Sequence, residues 1–149
     1  MSGKVLAQED ISTKLIGHWE QVCQKLQVLA EEFPAQTFDH KPAAGVRNVA
    51  ELLRHVAFWN NYVADKARGK QPDDSANELP KEKFSTKSEI LSALKRSAST
   101  ATAALKANSS LSIDASDMVI SFIEHNSEHY GQLVVYARFE GIVPPASRG

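Results

Sequence analysis

Cysteine, charge of one sign and long apolar runs are scarce in this sequence, and each scarcity excludes a class of protein. With one cysteine, Cys23, the chain can form neither an intramolecular disulfide nor a cysteine-rich zinc site. Lysine and arginine total 17 against 18 aspartates and glutamates, so the formal charge of −1 offers no basic excess for nucleic-acid binding. No apolar run approaches the roughly 18 residues of a membrane-spanning helix, and residues 1–10 are polar, without a signal-peptide core. We therefore expect one cytoplasmic domain over residues 1–149, with neither nucleic acid nor membrane as a partner.

The remaining composition favours an all-α fold. Glycine and proline are few, at 7 and 6 residues, and strand-like alternation is rare. Apolar residues spaced three and four apart predict four helices: residues 8–33, the stretch between Asn48 and Gly69, a third from about residue 86, and residues 115–140. Four helices with no strand between them predict a four-helix bundle.

Local signals mark the helix ends and the linkers. Asn48 with Glu51, and Thr86 with Glu89, have the spacing of capping boxes. The polar residues 69–85 form the longest linker, which we predict to be mobile or to act as a lid.

The fourth helix is predicted to be apolar on two sides. One side carries Met118, Phe122, Leu133 and Tyr136, and the other carries Val119, Ile123, Val134 and Ala137. A helix of this kind packs against several neighbours, so we place it at the centre of the bundle or at a subunit contact. Gly131 within this helix predicts close backbone packing.

Five histidines carry the distinctive chemistry of the chain, at positions 18, 40, 55, 125 and 129. His125 and His129 are four residues apart on the fourth helix, so both face one side of it. Two imidazoles at this spacing can bind one divalent ion. If the second and fourth helices are neighbours, His55 completes a three-histidine set. Such a set leaves coordination positions open for water or substrate, which is typical of a reactive metal site.

These patterns also have alternative explanations. Inward-facing histidines are often hydrogen-bonded core residues. Residues 125–129 also fit the H-x-x-E-H pattern of certain metalloproteases, with Glu128 as general base. No histidine follows residue 129 to complete that site, so we expect Glu128 to lie at the surface or to orient a ligand imidazole.

The other candidates carry weaker signals. We expect His18 at the edge of the core, where it could line a pocket, and His40 exposed in its proline-containing linker. Cys23 is predicted to be a small buried apolar residue rather than a nucleophile.

Two stretches of the chain resemble the DinB-like superfamily. They are NVAELLRHVAFWNN, residues 48–61, and FIEHNSEHYGQLVVYARFEGIVPP, residues 122–145. The likeness rests on the single histidine of the first stretch and, in the second, on the histidine pair, the Gly-Gln-Leu-x-x-Tyr run and the Gly-x-x-Pro-Pro ending. The Lys41-Pro42 dipeptide also fits, and the likeness spans nearly the whole chain in helix order.

The resemblance implies a fold, a site and a range of reactions. The fold is a four-helix bundle in an up-down-down-up arrangement, and the metal ligands map onto His55, His125 and His129. The metal is divalent, zinc or nickel first, with iron or manganese as alternatives. Several related proteins are transferases that use a low-molecular-weight thiol such as bacillithiol, mycothiol or glutathione. Others are described as metal-dependent hydrolases, and many have no known reaction. Homodimers are common, and the other partner is a small-molecule substrate.

Several hypotheses about function therefore stay open. The first is an enzyme, a thiol-dependent S-transferase or a hydrolase, in which the metal activates a thiol or a water. Its pocket is walled by Trp59, Tyr62, Phe122 and Tyr136, and no further catalytic residue is identified. The second is a non-catalytic bundle that binds a metal or small ligand, or dimerises through the second apolar side of the fourth helix. The third is a site that holds no metal in the cell.

Overall fold

The computed structural model describes residues 2–149, with side chains from residue 11 onward. It contains four α-helices, α1 (Ser2–Glu32), α2 (Val49–Ala67), α3 (Lys87–Lys106) and α4 (Ile113–Phe139). Residues 2–149 contain no strand, so the predicted all-α four-helix bundle is confirmed. None of the described helices combines the length and apolarity that crossing a membrane requires. The side chains of residues 1–10, on which the signal-peptide expectation rests, lie outside the described ones.

The predicted caps are present at both ends of the second helix. The Glu51 N–H donates to the Asn48 side chain at 2.8 Å, and the Asn48 N–H donates to the Glu51 carboxylate at 2.9 Å. Gly69 has a φ of +77°, a left-handed conformation that glycine adopts without a steric penalty, two residues after α2 ends. The capping box of Thr86 and Glu89 at the start of α3 is likewise confirmed.

Each helix packs against two others. The contacting pairs are α2 with α3, α1 with α4, α1 with α3, and α2 with α4, so the order around the bundle is α1, α3, α2, α4. The second and fourth helices are therefore neighbours, which is the condition on which a three-histidine site depends.

One contact near the helix ends of each pair gives the helix directions. Lys87 at the start of α3 donates to the Phe33 carbonyl just past the end of α1, so α1 and α3 are antiparallel. Tyr136 near the end of α4 donates to the Arg47 carbonyl just before α2, so α2 and α4 are also antiparallel. At the far end of α2 and α3, Asn108 donates to the Ala67 carbonyl, which makes these two helices parallel. Hence α1 and α4 run in one direction and α2 and α3 in the other.

The bundle core consists of two apolar clusters with polar side chains buried between its helices. Fully buried members of the two clusters include Phe33, Leu52 and Leu133 in one and Trp19, Val63 and Leu105 in the other. The buried polar side chains in the middle of the bundle are Asn60, Ser97 and Asn126, each at most 2% exposed. Buried amides and hydroxyls are costly unless hydrogen-bonded, and each of these three side chains has a hydrogen-bond partner.

One prediction for α4 is corrected by the structure. A Cβ added at Gly131 would meet no atom of a neighbouring element within 4 Å, because this residue faces solvent, so no close packing requires the glycine. Val119 and Ala137 are fully buried and Ile123 and Val134 are half-buried, so the second apolar side of α4 forms part of the core, the first of its two predicted positions. The exposed large apolar residues of α4 lie elsewhere on the helix: Ile113, Ile120, Val135 and Phe139.

Candidate metal centre

Three histidines from α2 and α4 meet between these helices. One ligand atom from each of His55, His125 and His129 lies within 4.8 Å of the others. The shortest approach joins His55 Nε2 and His125 Nε2, at 3.0 Å. The ring centroids are 4.5–5.0 Å apart in all three pairs. The structure therefore brings together the three residues that the sequence singled out, in positions from which they can bind a metal ion.

The Nδ1 atom of His55 is held by the loop between α2 and α3. It lies 2.7 Å from the backbone carbonyl oxygen of Asn77. A carbonyl oxygen can only accept, so Nδ1 must carry the proton. Nε2 of His55 is therefore the unprotonated nitrogen of the neutral ring and points toward the other two histidines.

A chain of buried hydrogen bonds fixes the proton of His125. The Ser97 hydroxyl donates to the Leu94 carbonyl at 2.9 Å, so its oxygen accepts from Asn60 Nδ2 at 3.3 Å. The Asn60 carbonyl oxygen then accepts from Asn126 Nδ2 at 3.1 Å. Asn126 Oδ1 therefore faces His125 Nδ1, 3.0 Å away, and accepts its proton. Helix α3 thus orients a histidine on α4 through two buried amides.

A second chain fixes the proton of His129 in the same way. The Tyr136 hydroxyl donates to the Arg47 carbonyl at 2.7 Å, so it accepts from Gln132 Nε2 at 2.8 Å. The other end of the amide, Gln132 Oε1, is therefore the acceptor 3.1 Å from His129 Nδ1. All three rings consequently carry the proton on Nδ1, away from the centre of the cluster.

Burial keeps the three imidazoles neutral. Desolvation lowers the pKa of His55 from 6.5 to about 4, against the opposing effect of its hydrogen bond to the Asn77 carbonyl. Desolvation also lowers the pKa of His125 and of His129, and in each case the hydrogen bond made by Nδ1 has the smaller, opposite effect of raising the pKa. Near pH 7 the cluster is therefore a set of uncharged ligands, the form in which histidine binds metals.

The geometry of this neutral cluster fits a divalent cation. With both protons on Nδ1, the 3.0 Å approach of His55 Nε2 and His125 Nε2 sets two lone pairs against each other without a proton between them. A cation bound by both nitrogens removes this repulsion. Imidazole nitrogens suit zinc, nickel, copper and iron, and oxygen acceptors on the opposite ring nitrogens are the usual support of histidine ligands.

The loop after α2 is tied to that helix at two successive residues. Asn77, whose carbonyl holds His55, has a φ of +57° and also accepts from Trp59 Nε1 at 2.9 Å through its side chain. Asparagine tolerates this left-handed conformation better than most residues. The next residue, Glu78, pairs at 2.8 Å with Arg54, which is 4% exposed. The middle of the predicted lid is therefore part of the support of the centre.

Aromatic rings form a wall on one side of the histidines. Trp59 lies 6.2 Å from His125 and 5.6 Å from Phe122, measured between ring centroids. Tyr62 packs on this pair, at 5.1 Å from Trp59 and 5.8 Å from Phe122. Three of the four predicted wall residues thus lie together, while the fourth, Tyr136, is buried and acts through Gln132.

The remaining candidates lie away from the centre. Glu128 is exposed and, within the described side chains, makes no hydrogen bond to an imidazole, although its negative charge opposes the lowering of the pKa of His125 and of His129. His18 is exposed rather than at the core edge. His40 is exposed as predicted and lies 3.0 Å from Glu140. Cys23 is buried, which raises the pKa of its thiol to about 12 and makes it a poor nucleophile.

The sequence analysis missed the residues that orient the imidazoles. Gln132 follows His129 by three positions and so shares its face of the helix, a signal that was available. Asn126 directly follows His125, but only the positions of Asn60 and Ser97 on other helices explain its role. Asn77 acts through its backbone carbonyl, which no side-chain pattern reveals.

The fold and this site together define an all-α bundle with a three-histidine centre. Residues 18–133 match the DinB superfamily, and the chain belongs to that superfamily. The match covers α2 and α3 in full and includes all three histidines. No curated protein matches the chain at a significant level.

We expect Gln132→Ala to weaken zinc binding by about tenfold, because His129 loses the acceptor that fixes its Nδ1 proton. Gln132→Glu keeps an acceptor oxygen at this position and is expected to bind zinc at least as tightly as the parent. Dissociation constants from competition with a coloured chelator measure both effects. Equal affinities for the alanine variant and the parent would contradict the assigned role of Gln132.

We expect the metal-free protein to lose stability as the pH falls from above 6.5 toward 4. Below pH 6.5 an exposed histidine in the unfolded chain takes up a proton, whereas His55, with a folded pKa of about 4, does not. At pH 5 this difference amounts to about 2 kcal/mol from His55 alone, and His125 and His129 act in the same direction. Urea unfolding at pH 7.5 and pH 5 measures the change. The same loss in a His55→Gln variant would contradict the assignment to this residue.

Proposed function

We propose that this protein is a metal-dependent enzyme that activates a thiol or a water at its three-histidine centre and directs it at a small electrophilic substrate. The observation that supports this most is the set of three neutral imidazoles whose unprotonated Nε2 atoms converge while oxygen acceptors hold every Nδ1 proton. Three protein ligands leave coordination positions for other molecules, as in catalytic rather than structural metal sites.

The residues around that centre have two roles, metal binding and substrate binding. His55, His125 and His129 would hold the ion, with zinc or nickel first and iron or manganese as alternatives. A divalent ion in such a site supplies Lewis acidity, which lowers the pKa of a water or thiol bound to it. The wall of Trp59, Tyr62 and Phe122 supplies an apolar surface that binds the apolar part of a substrate and excludes water.

The preferred reaction is transfer of a low-molecular-weight thiol. The thiol sulfur forms a bond to the electrophilic carbon, the leaving group departs with the bonding electron pair, and the thiol proton passes to solvent. Hydrolysis is the alternative, with a water oxygen in place of the sulfur. The same centre and apolar wall serve both reactions, so a direct assay must separate them.

Turnover assays on metal-loaded protein test this function. Bacillithiol, mycothiol and glutathione are each combined with aryl halide and epoxide electrophiles, and ester and amide substrates are assayed in parallel without thiol. We expect metal-dependent turnover that is lost in His129→Ala and kept in His18→Ala, because His18 is an exposed histidine remote from the centre. Absence of metal-dependent turnover in all assays, or equal activity of His129→Ala and the parent, would overturn the proposal.

A further inference from the structure

A shallow, open cavity of about 570 Å³ lies on the Gln132 side of the histidine centre, and no residue of the aromatic wall lines it. Gln132 lines this cavity and also contacts His129 Nδ1 through its amide oxygen. Arg47 lines it too, and its backbone carbonyl is held by the Tyr136 hydroxyl that also contacts Gln132. The cavity is therefore connected to a metal-ligand residue through one side chain.

The charges around the cavity leave one cation without a partner. Lys41 pairs with Glu51 at 3.4 Å, and Glu78 pairs with Arg54 at 2.8 Å. Arg47 is half-buried, and among the described side chains its guanidinium has neither a carboxylate nor a hydrogen-bond acceptor. Half-buried guanidinium groups normally find such partners, since their five N–H donors are costly to leave unmatched.

The antiparallel helices α2 and α4 place Arg47 and the aromatic wall at opposite ends of the site. Arg47 lies two residues before α2, and His55 lies in the first half of that helix, with Trp59 one turn further along. Phe122 precedes His125 on α4 and packs against Trp59. A ligand spanning the site would meet a cation at one end, the histidines in the middle and aromatic rings at the other end.

We propose that Arg47 forms a carboxylate-binding subsite beside the three histidines, so that the small molecule used by this centre carries a carboxylate at one end and an apolar group at the other. The proposal rests on the proposed function, because it names the class of molecule that the same centre takes. A carboxylate accepts two N–H donors of one guanidinium side by side. A phosphate dianion fits less well, since Lys41, the other cation that lines the cavity, already pairs with Glu51 and leaves the second charge of the phosphate without a partner.

The test compares two probes, 3-mercaptopropionate and its methyl ester, which share the thiol and differ in the charge of the carboxyl end and by one methyl group. Their dissociation constants are measured on the cobalt-substituted protein from its visible absorption. We expect the acid to bind about tenfold more tightly than the ester, the effect of one charge-assisted hydrogen-bonded pair. In Arg47→Gln this preference is expected to fall to about one, whereas Arg138→Gln, which removes an exposed arginine from the end of α4, should keep it.

A second measurement tests the carboxylate subsite independently of the proposed enzymatic function. In metal-free protein, the ¹H–¹⁵N signal of Arg47 Nε is expected to shift on titration with the acid and not with the ester. In one outcome, the probes leave the cobalt spectrum unchanged while the Arg47 signal shifts with the acid. This result would contradict the proposed activation of a thiol at the metal and would support the carboxylate subsite. The subsite is overturned if the Arg47 signal does not shift with the acid. It is also overturned if Arg47→Gln still binds the acid more tightly than the ester, which would show that the carboxylate contacts the metal itself.

Discussion

Replacement of His125 by alanine is expected to weaken zinc binding by about a hundredfold to a thousandfold. Zinc sites with four protein ligands bind with an apparent free energy of about 10–16 kcal/mol, or about 3 kcal/mol for each ligand. His125 is the ligand whose loss should matter most, because its Nε2 is 3.0 Å from that of His55 and its ring meets the His129 ring edge to face, with centroids 4.5 Å apart. Isothermal titration of zinc into the purified variant measures the effect.

Exposed histidines provide the control for this experiment. His18→Ala removes a histidine of the same chemistry from the surface of α1 and is expected to leave zinc affinity unchanged. Both variants should keep the helical circular dichroism of the parent, since His125 is only partly buried. Similar zinc affinities for His125→Ala and the parent would mean that zinc binds elsewhere on the chain.

Saturating zinc is expected to raise the thermal unfolding midpoint by about 8–16 °C. A ligand at a thousand times its dissociation constant stabilises the folded state by about 4 kcal/mol when it does not bind the unfolded chain. For a domain of this size each kcal/mol corresponds to about 2–4 °C. His55 on α2 is separated by about seventy residues from the histidine pair on α4 in the unfolded chain, so the three ligands form the site only on folding.

Calorimetry with and without zinc measures this shift, and His125→Ala is its matched control. We expect the midpoint of the variant to respond little to zinc, because two histidines remain from a set of three. An unchanged midpoint in the parent at saturating zinc would contradict a site built across two helices. Equal shifts in the parent and the variant would assign the stabilisation to another site.

The sequence predicted the parts of the fold that depend on local chemistry. Capping boxes and glycine stops involve residues within one turn, so Asn48, Glu51 and Gly69 could be assigned from spacing alone. Helical periodicity placed His125 and His129 on one face for the same reason. The prediction of close backbone packing at Gly131 was wrong. A glycine inside a helix lowers the stability of the helix, but this cost does not imply that a neighbouring element occupies the space of a side chain.

The support of the centre could not be predicted, because it depends on which helices are neighbours. The path from Leu94 through Ser97, Asn60 and Asn126 crosses three helices before it reaches His125. Other asparagines and serines also lie in the helices of this chain, such as Asn61, Ser99 and Ser127, and nothing in the spacing distinguishes the buried ones from them. Glu128, an obvious candidate beside a histidine in the sequence, is exposed, whereas Gln132, four residues further along the same side of α4, contacts His129.

The metal content of the protein as isolated tests the central claim most directly. The protein is prepared without a polyhistidine tag and without added metal, and its divalent ions are measured by elemental analysis alongside His125→Ala. The three-histidine centre predicts close to one zinc, nickel, iron or manganese ion per chain in the parent and little in the variant. A small fraction of one ion per chain in the parent, or the same content in both proteins, would contradict a metal-binding function for these histidines.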